Sequence, residues 1–102
     1  MNYLIVPSPD AEADFTSAIF WYQQIDPNLV SRFIVESRAT LARIAQFPYQ
    51  FPLVNGKIRR ALLKRFPYGI YYSLDHDEVS VTAILHQRRS DDIWKDRSHK
   101  HS

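Results

Sequence analysis

An α+β fold is expected for this chain, with an N-terminal strand, a helical hairpin packed on a small antiparallel β-sheet, and a short C-terminal helix. Three observations predict it. Two helix-start signals follow one another closely, at Ser8-Pro9-Asp10 and Asp26-Pro27. The apolar residues behind each recur at spacings of three and four. From Lys57 onward the period changes to two, with turn residues between the runs.

Tyr3 to Val6 is a short apolar run closed by Pro7, which reads as a strand. Ser8 is placed to cap the first helix. Pro9 suits its first turn because an N–H there would be unbonded, and Asp10 and Glu12 favour the positive end of the helix dipole. Phe15, Ala18, Ile19, Tyr22 and Ile25 share one face, expected to be core, with the helix stopping near Gln24. Trp21 and Tyr22 cannot face the same way, and the stripe assigns Tyr22 to the core.

Asp26-Pro27 starts the second helix at once, so the pair should fold back as an antiparallel hairpin. Its stripe is Val30, Phe33, Ile34, Leu41 and Ile44, with Arg32 and Glu36 four apart on the outside. The helix ends before Pro48. Phe47 to Gly56, with two prolines and an Asn-Gly pair, reads as a connecting loop.

Lys57 to Phe66, Ile70 to Leu74 and Val79 to His86 are the strands of an antiparallel meander, broken by Phe66-Pro67-Tyr68-Gly69 and Asp75-His76-Asp77-Glu78. Strict alternation in the last strand puts Val79, Val81, Ala83 and Leu85 on one face. Ser80, Thr82, Ile84 and His86 then share a wetter face, left for work. Ser90 can cap a short last helix and Trp94 can pin it. A single domain over 1–96 and a polar, disordered tail over 97–102 are expected.

At 102 residues the chain has room for one core. A hydrophobic fraction of 45 % with only two glycines favours a packed globule over a disordered segment. The absence of cysteine excludes disulfides, thiolate metal sites and thiol catalysis. The first residues carry no basic segment before a run too short to span a membrane, so a cytoplasmic location without membrane association is expected.

Charge is uneven. Residues 1–51 carry three basic and five acidic groups, and residues 52–102 carry ten basic and six acidic. Lys57, Arg59, Arg60, Lys64 and Arg65 fall in nine residues with no acid between them. Such a run sets up a patch for a polyanion or an acidic partner, or else simply blocks a sheet edge.

Candidate chemistry is sparse. Metal-free RNA cleavage needs a base, cations at the phosphate and an acid. Arginine stays protonated, so proton work falls to His86, Lys57, Lys64 or a tyrosine. His86 ends a strand beside Arg88 and Arg89 and is the best candidate; the alternative is a hydrogen-bonded structural histidine. Tyr68, Tyr71 and Tyr72 are candidates for a base-stacking platform, although alternation sends two of them to opposite faces. His76 among Asp75, Asp77 and Glu78 reads as a solvated turn rather than a metal site. His99 and His101 read as tail residues. No Gly-rich phosphate loop or nucleophile elbow occurs, and no metal or cofactor is expected.

Ser8-Pro9-Asp10-Ala11-Glu12-Ala13-Asp14, Trp21-Tyr22, Arg59-Arg60 followed by Lys64-Arg65-Phe66-Pro67-Tyr68, and His86-Gln87-Arg88-Arg89 with Trp94 form an ordered set from about Val6 to Trp94. This set resembles the RelE/ParE superfamily of toxins from type II toxin-antitoxin systems. The Arg-Arg, Phe-Pro-Tyr and His-x-Arg-Arg forms look closer to ParE-like plasmid-stabilisation toxins. The resemblance implies a toxin neutralised by a cognate antitoxin that wraps it. It further implies DNA gyrase as target in the ParE branch, and cleavage of messenger RNA on the ribosome in the RelE branch. A non-toxic binding module on the same fold is a third reading. Arg59, Arg60, Lys64, Arg65, Arg88, Arg89 and Trp94 are the implied target- or antitoxin-binding residues. His86, Arg88, Lys64 and Arg65 are the catalytic candidates of a nuclease. Arg88 lies where RNA-cutting relatives carry an arginine, but Gly69 stands where they place another, which favours gyrase over ribosome and mRNA.

Overall fold

The computed structural model describes residues 2–89 together with Ile93 and Arg97. The elements are β1 (Leu4–Pro7), α1 (Pro9–Ile25), α2 (Pro27–Gln46), a 3₁₀ turn (Pro48–Gln50), β2 (Leu53–Asn55), β3 (Ile58–Leu62), β4 (Tyr68–Asp75), β5 (Glu78–His86) and a second 3₁₀ turn (Gln87–Arg89). They form a five-stranded sheet of order β1-β5-β4-β3-β2. Ile93 and Arg97 are both helical. The expected helix start at Ser90 and the expected anchor Trp94 lie outside the described residues, as do His99 and His101.

Both helix starts behave as the capping residues dictate. Ser8 Oγ accepts from the Ala11 amide at 3.0 Å with Pro9 in the first turn. Asp26 ends α1 through its own N–H, bonded to the Tyr22 carbonyl, and starts α2 by accepting from the Asn28 amide at 3.0 Å. One residue serving as both caps makes the hairpin tight.

The apolar faces of α1 and α2 cover the sheet. Ala18, Tyr22, Phe33 and Ile44 are buried from the helices, and Ile70, Tyr72, Val79, Val81 and Ile84 from the strands. Ile25, expected on the core stripe, is 58 % exposed at the last residue of α1. The α2 stripe also contains two buried polar residues, Ser37 and Thr40. Thr40 is tolerated because its hydroxyl donates to the Glu36 carbonyl within its own helix. Glu36 does not pair with Arg32 as expected; its carboxylate accepts the Arg65 amide, at 3.0 and 3.3 Å from its two oxygens, and ties α2 to the β3–β4 turn.

The loop expected over 47–56 contains an additional edge strand, β2, joined to β3 by a hairpin in which Gly56 takes a φ of 51°. Only an Asn-Gly-type turn accommodates that left-handed backbone at low cost. The N-terminal strand β1 runs parallel to β5, from Leu4 opposite Glu78 to Pro7 opposite Val81.

The alternation expected along β5 is broken. Tyr71 pairs with Ala83 and Tyr72 with Val81, so Thr82 is an extra residue that forms a β-bulge. Val79 and Val81 face the helices as expected, but beyond the bulge Ile84 joins them in the main core. Ala83 and Leu85 turn to the opposite face, where they cluster with Ile58 and Tyr71, and Val54 and Ile93 pack against them. The face expected to be wet and free for work therefore carries its own apolar cluster.

Tyr72 links the sheet to the 3₁₀ turn by donating to the Pro48 carbonyl. Burial pushes its phenol up to about 12 from 10.0, against the opposing effect of Arg59. The folded chain thus holds this proton more tightly than the unfolded chain does. The stabilisation is complete below about pH 10 and lost as pH rises toward 12. Tyr72→Phe is expected to flatten the fall in stability across that window, measured as urea midpoints at successive pH values. An unchanged slope means that another group governs alkaline unfolding.

Candidate functional site: the basic end of the sheet and its groove

The cationic run from Lys57 to Arg65 does not make one patch. An extended chain advances about 3.3 Å per residue, which puts Lys57 and Lys64 roughly 20 Å apart at opposite ends of β3. Arg59 and Arg60, adjacent in a strand, point to opposite faces. Arg59 lies on the Tyr72 side, donates to the Phe51 and Tyr49 carbonyls at 2.7 and 3.4 Å, and sits 5.1 Å over the Tyr49 ring. Arg60 lies on the Tyr71 side, with its Nε buried and without a hydrogen bond. Arg59 and Arg60, both expected to bind a target or antitoxin, therefore sit on opposite faces, and Arg59 ties down the 47–52 segment.

A different set of cations is brought together by chain reversal. Leu63 and Tyr68 are bonded across the β3–β4 turn, and the Gln87 amide donates to the Pro67 carbonyl at 2.8 Å. These bonds hold the turn carrying Lys64 and Arg65 against the segment that follows β5. Lys64, Arg65 and Arg88 are all exposed at this end of the sheet. Arg89 follows Arg88 in the 3₁₀ turn.

Beside this basic end lies a groove of about 520 Å³ between α1 and the end of β5. Trp21 forms part of the α1 wall, Tyr68 and His86 come from the sheet, and Arg88, Ile93 and Arg97 close it from the C-terminal side. Trp21 is 58 % exposed while Tyr22 is buried, as their adjacency on a helix requires. Trp21 is the residue that the motif reading underweighted. Its place next to, rather than on, the apolar stripe is readable from the helical period.

His86 is engaged structurally. Its ring stands edge-on to Tyr68 at 5.4 Å, and Nδ1 accepts the Arg88 amide at 3.1 Å. Tyr68, Tyr71 and Tyr72, considered for base stacking, are all buried, which removes them as an open platform. His76 is exposed in the β4–β5 turn with a φ of 58°, and among the described residues no group of His, Cys, Asp and Glu side chains is placed to hold a metal.

Gly69 is enclosed. A Cβ there would lie 3.2 Å from Leu62 Cδ2 and 3.3 Å from Arg60 Cγ, so the Arg60 stem occupies the space that a side chain at 69 needs. A side chain at this position, where RNA-cutting relatives are expected to carry an arginine, would require Arg60 and Leu62 to give by a few tenths of an ångström.

A family profile described as the ParE toxin of the type II toxin-antitoxin system parDE matches residues 5–91. The chain belongs to this ParE toxin family. Membership covers both the helical hairpin and the basic end of the sheet, and implies a cognate antitoxin as partner. Among solved structures, a chain of the chromosomal ParDE toxin-antitoxin system of P. aeruginosa superposes with a TM-score of 0.73 at 16 % identity, covering 82 % of this chain and 95 % of that one. At that identity the likeness is one of fold. No curated protein matches. Among the described residues of this ParE-family chain, no helix is long and apolar enough to cross a membrane.

Proposed function

We propose that this ParE-family chain is a toxin that acts by docking on DNA gyrase and does not itself cleave RNA. The observation that carries the reading is the state of His86. Its Nδ1 is occupied by the Arg88 amide and its ring is packed on Tyr68, so the best candidate base is spent on structure. What remains at the sheet end is a cluster of guanidinium and ammonium groups, Arg65, Arg88 and Lys64, beside the apolar Trp21. Such a surface is suited to binding by charge and apolar contact, while the candidate base that motif and position favoured is engaged elsewhere. The same surface suits an acidic antitoxin segment, whose binding would cover the cations and block the target.

Purified chain incubated with gyrase, supercoiled plasmid and ATP is expected to trap cleaved DNA or to inhibit supercoiling, and addition of the antitoxin is expected to reverse it. Unchanged supercoiling together with new message ends on translating ribosomes would transfer the assignment to ribonuclease activity. Harmless expression without an antitoxin would leave only a binding module.

A further inference from the structure

β1 covers only part of the outer edge of β5. Its last pair is Pro7 with Val81, after which the chain turns into α1 at Ser8. The remainder of β5, from Thr82 to His86, has β4 on one side and, among the described residues, no strand on the other. An open edge presents backbone donors and acceptors that otherwise recruit another chain. Here side chains take them. Asp14 Oδ2 accepts the Ile84 amide at 3.0 Å, and Arg97 donates to the Thr82 carbonyl at 3.3 Å.

Those two side chains also grip each other. Arg97 Nη1 and Nη2 donate to the two Asp14 oxygens at 2.6 and 3.0 Å, and Asp10 lies 3.7 Å from Arg97 Nε. The side chains of Arg97 and Asp14 are 16 % and 12 % exposed. A two-pronged guanidinium-carboxylate pair screened this well is stronger than an ordinary surface ion pair. Its Asp14 bond holds the guanidinium above its usual range, against the opposing effect of burial. Arg97 falls in the stretch that the sequence assigns to the tail, so no need for a buried pair at that point was visible from composition.

We infer that Asp14 and Arg97 form a latch, which holds Arg97 against the open half of the β5 edge and, with Ile93, walls the groove beside Trp21. Both residues line that groove. Any chain that adds to β5, or enters the groove from this side, must break the pair and take over the Ile84 amide and the Thr82 carbonyl. Ile93 packs against the Tyr71, Ala83 and Leu85 cluster on the opposite face. The latch depends on the fold alone and holds whichever target the toxin has.

Hydrogen exchange and limited trypsin digestion of the full chain test it. In Arg97→Gln, exchange at the Ile84 amide is expected to accelerate about tenfold or more, as loss of a charge-assisted bond implies. Cleavage after the exposed Arg88 should accelerate with it, while amides in β3 and β4 keep their rates. Asp14→Asn is expected to give the same pattern, and Arg97→Lys a weaker one. Unchanged exchange and cleavage in both Arg97→Gln and Asp14→Asn would overturn the latch. So would acceleration spread evenly over all strands, which would make the pair a general stabiliser.

Discussion

Phe33→Ala is expected to destabilise the chain by about 3–5 kcal/mol, the usual cost of emptying a large aromatic site. Phe33 is fully buried and stands at the centre of a ring cluster. Its centroid lies 5.6 Å from Phe15 and 5.3 Å from each of Tyr22, Phe66 and Tyr68. Those four rings come from α1, from the β3–β4 turn and from β4, so one side chain joins the hairpin to the basic end of the sheet. A domain of this size is stable by only about 5–15 kcal/mol in total, which makes the loss a large fraction of the whole. Urea unfolding followed by circular dichroism measures it. Phe33→Leu should lose less, because it keeps much of the volume. A loss below about 1 kcal/mol in the alanine variant would mean that the site collapses freely and the cluster is not the joint.

Charge reversal at the sheet end should have the largest effect on binding. The triple variant Lys64→Glu, Arg65→Glu, Arg88→Glu is expected to weaken antitoxin binding by about ten- to a hundredfold. Exposed ion pairs are worth about 0.2–1 kcal/mol each, and reversal turns three attractions into repulsions. The loss should shrink in high salt, since exposed charges are screened. The sequence alone directs the same experiment at Arg59 and Arg60, which the fold places on opposite faces of the sheet. Arg59 is spent on the Phe51 and Tyr49 carbonyls and Arg60 faces the other way, so reversing them should chiefly disturb folding. Calorimetric titration with the antitoxin decides between the two sets. Equal affinity of the triple variant and the unaltered chain would place the contact surface elsewhere.

Much of the fold was legible because local signals agree with the final packing. The Ser8-Pro9 and Asp26-Pro27 starts are read from capping chemistry, and each cap forms its bond within three residues. The strands from Lys57 onward were visible in the period and turn residues, with boundaries shifted by a few residues. What failed depended on partners distant in the chain. β2 was hidden because a three-residue strand has almost no pattern of its own and exists only through β3. The bulge at Thr82 was hidden because Ser-Val-Thr-Ala-Ile continues an unbroken alternation, and the extra residue is set by register against Tyr71 and Tyr72.

The candidate site divides in the same way. Arg88 and the Lys64-Arg65 pair were found by charge density and motif, and the chain reversal does bring them to one end of the sheet. For His86, the contact of Nδ1 with the Arg88 amide is visible only in the folded chain. Asp14 was quoted for its place in a motif and Arg97 for none, although 83 positions apart they make the best-screened ion pair among the described residues.

By itself the sequence determined the helical hairpin, the meander, the family and the half of the chain that carries the cations. These follow from interactions spanning a few residues, such as caps, turns and periodicity, which a linear reading contains in full. Only the tertiary structure decided which cations stand together, which way β5 turns after Thr82, and that Arg97 closes on Asp14. Those outcomes depend on strand register and on side chains meeting across the chain, where a one-residue offset reverses a face and no local signal records it.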